Sequence, residues 1–184
     1  MKKNILFFSL ALISLPLISN GPCCSVNDGP CKESPVQTME ERLFEAIDQC
    51  NCNRVKELLL SCSNVDCRDE EGMTPLMLAI AQNAFIFDMN IDMRPIVRML
   101  IEQGADTCAT IIIQDKTYTM QEFADLCCAN CKMFHDECQR RMDNLCAENK
   151  KDTPEYCELE KHARACEKAY NHAQEMCDMI KMCN

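Results

Sequence analysis

Asn64-Val65-Asp66-Cys67-Arg68-Asp69-Glu70-Glu71-Gly72-Met73-Thr74-Pro75-Leu76-Met77-Leu78-Ala79 is the stretch that decides the fold. Its Asp and Gly residues mark a turn. Thr74 is placed to cap a helix, and Pro75 occupies the first helical position, where no backbone N–H is needed. The next apolar stripe downstream is Ile96, Val97, Leu100 and Ile101, and Gly104 closes it. Glycine suits the left-handed backbone just past a helix end.

Upstream the same grammar recurs. Leu43, Ala46 and Ile47 are spaced three and four apart and give one apolar helical face. The polar break Gln49-Cys50-Asn51-Cys52-Asn53 follows, then a second stripe at Val55, Leu58, Leu59 and Leu60. Two short helices around a tight break form an αα-hairpin. Ahead of them, residues 20–38 hold Pro22, Gly29, Pro30 and Pro35 with Cys23, Cys24 and Cys31, an irregular arm expected to be tied down by a disulfide.

These units resemble ankyrin repeats. Thr74-Pro75-Leu76-Met77-Leu78-Ala79 is similar to the family's inner-helix signature, and Ile96-Val97-Arg98-Met99-Leu100-Ile101-Glu102-Gln103-Gly104-Ala105-Asp106 to its outer-helix signature. The resemblance gives Thr74, Pro75, Leu76, Ala79 and Gly104 structural roles in the repeat. Leu43 to Leu59 fits a preceding repeat. A degenerate third begins at Asp115-Lys116-Thr117 and enters a helix at Thr119, with Ala124 in the Ala position. Three departures stand out. Met77 replaces the usual His, and Cys62 replaces a helix-ending Gly. The interval from Thr74 to Ile96 is about nine residues longer than the family pattern. The insert carries Phe85, Ile86, Phe87, Met89, Ile91 and Met93. It reads either as a lengthened inner helix packed on the C-terminal helices or as a loop that grips a partner.

Residues 120–148 and 154–182 are rich in helix formers, and Asn149-Lys150-Lys151-Asp152-Thr153-Pro154 separates them. Thr153-Pro154-Glu155 reads as a helix start, so an antiparallel hairpin is expected. In such a hairpin, facing residues have nearly constant summed positions. Cys138 with Cys166, Cys127 with Cys177, and Cys146 with Cys157 obey that rule. Cys127 and Cys138 lie within about 20° of each other around the helix, as do Cys166 and Cys177. The spacing predicts disulfides Cys138–Cys166 and Cys127–Cys177, and Cys146–Cys157 if the second helix begins with a loose turn. In the repeats, Cys50 and Cys52 lie about 13 Å from Cys62 and Cys67, beyond disulfide reach. Cys67 and Cys108 occupy equivalent turns of successive repeats, so stacking predicts a Cys67–Cys108 bridge.

The chain is therefore expected to be all-α. A signal peptide spans 1–19, an irregular arm 20–38, a short ankyrin-like helical solenoid 39–125, and a disulfide-stapled antiparallel helical hairpin 126–184. Lys2 and Lys3 followed by the apolar run Ile5–Ile18 read as a secretory leader cleaved near residue 19–20. Seventeen Cys in 184 residues agree with an oxidising, secreted or periplasmic destination. That odd count leaves at least one sulfur outside intramolecular pairs. Cys128, Cys131 and Cys183 are the residues left over in the hairpin, and an exposed one gives a route to a disulfide-linked dimer.

The net charge of −10 without basic clusters excludes a nucleic-acid partner. No second apolar run is long enough to hold the chain in a membrane after leader cleavage. Four Gly leave no Gly-rich phosphate loop, and no nucleophile–base pair stands out, so no cofactor and no catalysis are expected. Cys128-Ala129-Asn130-Cys131 is a C-x-x-C, but it lacks the strand-to-helix setting of a redox site. The resemblance implies a protein-binding scaffold whose exposed candidates are Arg68, Glu70, Glu71, Met73 and Met77, facing an unknown protein with a basic patch. The alternative from another class is thiolate binding of copper or zinc. Cys127, Cys131, His135 and Cys138 recur on one helical face, and a facing helix would have to complete the site.

Overall fold

A computed structural model describes residues 37–61, 64–85 and 92–183, which lie in one compact unit. The leader, the arm with Cys23, Cys24 and Cys31, residue Cys62 and the insert positions 86–91 lie outside the described residues.

The first helical pair is α1 (Met39–Asp48) and α2 (Cys52–Leu59). Thr38 caps α1 in a capping box with Glu41, each side chain taking the other's backbone N–H. Asn51 caps α2 by accepting from the Arg54 N–H. The second pair is α3 (Pro75–Phe85) and α4 (Arg94–Glu102). Thr74 accepts from the Met77 N–H at 3.3 Å, the cap expected from the sequence. Gly104 ends α4 at φ +85°, with the Gly104 and Ala105 amides donating to the Ile101 and Leu100 carbonyls.

A β-hairpin follows, β1 (Thr110–Ile113) and β2 (Lys116–Thr119), antiparallel with Ile111 opposite Tyr118. Gln114 and Asp115 both have positive φ, at 50° and 63°, as a tight hairpin turn requires. The all-α expectation is corrected here. The fold is mostly helical, but the β-branched run Thr110-Ile111-Ile112-Ile113 pairs with Lys116–Thr119 instead of forming a plain loop.

The last pair is α5 (Met120–Ala147) and α6 (Pro154–Cys183). Thr119 and Glu122 form a capping box at the start of α5. α5 runs unbroken through residues 125 and 126. Among the described residues, no helix is long and apolar enough to cross a membrane.

The helices stack in two rows. α1 packs on α3 and α3 on α5, while α2 packs on α4 and α4 on α6. The third pair thus takes the place of a third repeat, but its helices are about 42 and 45 Å long at the helical rise. Only their near ends enter the main core. Met120, Phe123, Ala124, Cys127 and Cys131 do so from α5, and Ala169, Ala173, Met176, Cys177 and Ile180 from α6. No residue from 132 to 168 joins that cluster. This stretch forms a two-helix stem beyond the core, with its own seam at Leu159, Ala163 and Cys166.

Candidate functional site

The turn between the first and second pairs is built around Asp69. Its carboxylate accepts from the Met73 N–H at 2.7 Å and the Glu71 N–H at 3.1 Å. Gly72, at φ +78°, lets the chain reverse there. Burial holds the Asp69 carboxyl above the ordinary carboxylate range, although these backbone bonds pull the other way. Arg68 donates to the Gly72 carbonyl at 2.6 Å and the Thr110 carbonyl at 3.0 Å, so it ties this turn to the next one. Asp66 does the same by accepting from the Asp106 N–H at 2.8 Å. Successive turns are therefore fixed side by side.

Arg68, Glu70 and Glu71 are exposed on this edge, joined by Asp106 and Asp115. The Arg68 guanidinium bonds to backbone oxygens and keeps its charge, so four exposed carboxylates stand against Arg68 and the exposed Lys116. Met73 and Met77 are corrected out of the surface: Met73 is 8 % exposed and Met77 fully buried. Every residue from Met73 to Ala84 is buried, because α1 covers one side of α3 while α5 and α6 cover the other. The polar members of that run are satisfied internally. Gln82 donates to Asp48, and Asn83 donates to the Ala169 carbonyl at 2.8 Å. The inner helix therefore offers no groove of its own.

α6 is also docked by charge. Arg94 grips Asp92 with two bonds, of 2.9 and 2.8 Å, and reaches Glu175 at 2.7 Å. His172 is buried beside them, its Nδ1 lying 3.8 Å from Asp92. Arg94 holds the Asp92 carboxyl below the ordinary range. Burial, then the nearby Arg94, hold His172 below the ordinary imidazole value.

No disulfide is formed among the described cysteines. The antiparallel hairpin is present without staples, its cysteines being thiols. Cys138 and Cys166 are neighbours across the seam, as the register predicts. Cys177 has Cys128, Cys127 and Asp125 as neighbours. One face of α5 meets α3. Asn130 and Cys131 touch the Ala84 and Asn83 carbonyls, so Cys127, in line with Cys131, turns into the core at 1 % exposure. Cys146 neighbours Tyr156, while Cys157 is exposed, and no disulfide joins Cys146 to Cys157. Cys67 is buried and Cys108 exposed, and no disulfide joins them.

The four residues of the metal alternative diverge. Cys127 and Cys131 face the core, the His135 ring nitrogen lies 3.3 Å from the Ala163 carbonyl, and Cys138 faces Cys166. Among the described residues, no three His, Cys, Asp or Glu side chains are grouped to hold a metal ion.

The ankyrin repeat family model matches residues 71–112, the span from the Asp69 turn through α3 and α4 to β1. No curated protein matches the chain. The matched span holds the Thr74 cap, the buried inner helix, the outer helix and the Gly104 stop, and over it the chain carries an ankyrin repeat.

Proposed function

We propose that this chain is a secreted or periplasmic protein–protein interaction module. In this reading it performs no catalysis, binds through the acidic turn edge and is stabilised by disulfides after export. The observation that carries the reading is the ankyrin repeat at residues 71–112. Its turns stand side by side through Arg68 and Asp66 and present Glu70 and Glu71 to solvent. The favoured partner is a protein with a basic patch, because exposed acidic groups steer such a partner and reject acidic ones. Burial of α3 leaves the turns, not the inner-helix face, as the binding edge. The leader of residues 1–19 and the cysteine content support export, with cleavage near residue 19–20.

The test pairs wild type with Glu70→Lys/Glu71→Lys, each immobilised and exposed to proteins from the cells' exported fraction. A partner held by wild type at low salt, lost near 0.5 M salt and lost by the charge reversal supports the edge. A partner that survives the reversal, with far-UV spectra unchanged, moves the binding site elsewhere. The intact mass of the exported protein checks the cleavage position.

A further inference from the structure

α5 and α6 are joined at the far end of the stem. α5 ends about 24 Å along its axis from Cys131, its last residue in the core. The join carries Lys150-Lys151, and residues 147–152 are all exposed. Among the described residues, every other Lys and Arg lies in a helix or in β2, except Arg68, which is bonded to the Gly72 and Thr110 carbonyls. Arg140-Arg141 makes the contrast. This second dibasic pair lies within α5, with Arg140 on Glu137 and Arg141 on Glu155. A protease needs a segment that it can reach and draw into extended form, and an exposed loop tip supplies one.

The join also leaves each helix its own end. α5 is closed ahead of the scissile bond: Asn149, at φ +56°, donates to the Cys146 carbonyl at 3.0 Å, and the Lys150 N–H to the Leu145 carbonyl at 2.9 Å. α6 is opened behind it. The Thr153 hydroxyl accepts from the Tyr156 N–H at 3.3 Å, and Pro154 takes the first helical position. The Thr153 N–H and hydroxyl also donate to the Lys150 carbonyl, at 3.2 and 2.7 Å. These two bonds occupy the Lys150 carbonyl, so the Lys151–Asp152 peptide bond is the one presented.

We propose that the Lys150-Lys151 tip is a processing site for a trypsin-like serine protease, which cuts after Lys151 and leaves a two-chain molecule. Water is the co-reactant. The C–N bond between Lys151 and Asp152 breaks, Lys151 takes the water oxygen and becomes a carboxylate, and Asp152 takes both water protons and becomes an ammonium. Residues 152–184 then stay in place through contacts that the cut does not touch. Lys181 meets Asp125 at 3.9 Å, the Ala169 carbonyl accepts from Asn83 at 2.8 Å, and Glu175 accepts from Arg94 at 2.7 Å. Met176 and Ile180 remain buried in the core. The site lies outside the turn edge and does not rest on the binding reading.

The experiment treats the full chain, kept in reductant, with a trace of trypsin and maps the products by mass. Within residues 37–183 the first cut is expected after Lys151, with Arg140-Arg141 intact. Lys150→Gln/Lys151→Gln slows that first cut by more than about tenfold, while Arg140→Gln/Arg141→Gln leaves its rate unchanged. Residues 152–184 co-elute with the rest of the chain on native gel filtration and separate from it in urea. The wild-type cleavage map stands even if a variant misfolds. A first cut outside the Lys150-Lys151 pair, an equally fast first cut in Lys150→Gln/Lys151→Gln, or immediate native loss of residues 152–184 overturns the proposal. None of these outcomes involves Glu70 or Glu71, so the binding reading stands or falls separately.

Discussion

Thr74 does two things with one short side chain. Its hydroxyl satisfies the Met77 amide, and its burial, at 1 % exposure, seats the start of α3 under its neighbours. Thr74→Ala is expected to cost about 1 kcal/mol of stability through loss of the cap, read as a lower urea midpoint at unchanged slope. Gly104 is a different kind of residue, because nothing lies within 4 Å of an added Cβ. Gly104→Ala therefore acts only through its backbone at φ +85° and is expected to cost about 1 kcal/mol without changing the spectrum. A neutral result in the same denaturation assay would mean that α4 ends equally well without the left-handed residue. Both positions are legible in the sequence, since cap chemistry and glycine stops act within a few residues. Met73 and Met77 are not, because a methionine beside a turn reads as exposed until the neighbours of α3 are known.

Among the elements, α6 is the one whose placement depends most on distant partners. Its docking combines apolar contact with α3 and α4, the Asn83 bond to the Ala169 carbonyl, and the Arg94 cluster with Asp92, Glu175 and His172. The cluster gives this junction a pH dependence. His172 has a lowered folded pKa, so the unfolded chain binds the proton more readily. Its stabilising effect is complete above the unfolded value of about 6.5 and is lost as pH falls below it toward the folded value. Asp92 is also depressed, and its contribution is present above about 3.9 and lost as pH falls through its lowered value. Wild type should therefore lose stability between pH 7.5 and pH 5.5, and His172→Gln should flatten that loss. Equal slopes in paired urea titrations would remove His172 from the account. The helix ends of α5 and α6 are readable from Thr119, Thr153 and Pro154. The β-hairpin has a local signal in the β-branched run Thr110–Ile113, but a run of four residues between helices does not by itself tell a strand from a loop.

At the scale of the molecule, the third helical pair stacks on the second and extends beyond it as a stem. The rows α1–α3–α5 and α2–α4–α6 close on one core, and residues 132–168 add nothing to it. Replacing residues 134–165 with a short polar turn should therefore leave a chain that still unfolds in one cooperative transition. It should lose helical signal roughly in proportion to the residues removed. Loss of cooperativity in a thermal melt would show that the stem carries part of the fold.

The sequence by itself determined the helix boundaries, the caps, the antiparallel pairing of the last two helices and the contact of Cys138 with Cys166. All of these follow from local backbone preference or from one register between two neighbouring helices. Tertiary structure alone decided that Cys127 and Cys131 turn into the core, that Met73 and Met77 are buried, and that the stem stands clear of the core. Each of those depends on where α3 presses against α5 and α6. Rotating a long helix by one residue exchanges its core face for its seam face, and only the third helix in contact says which rotation is adopted.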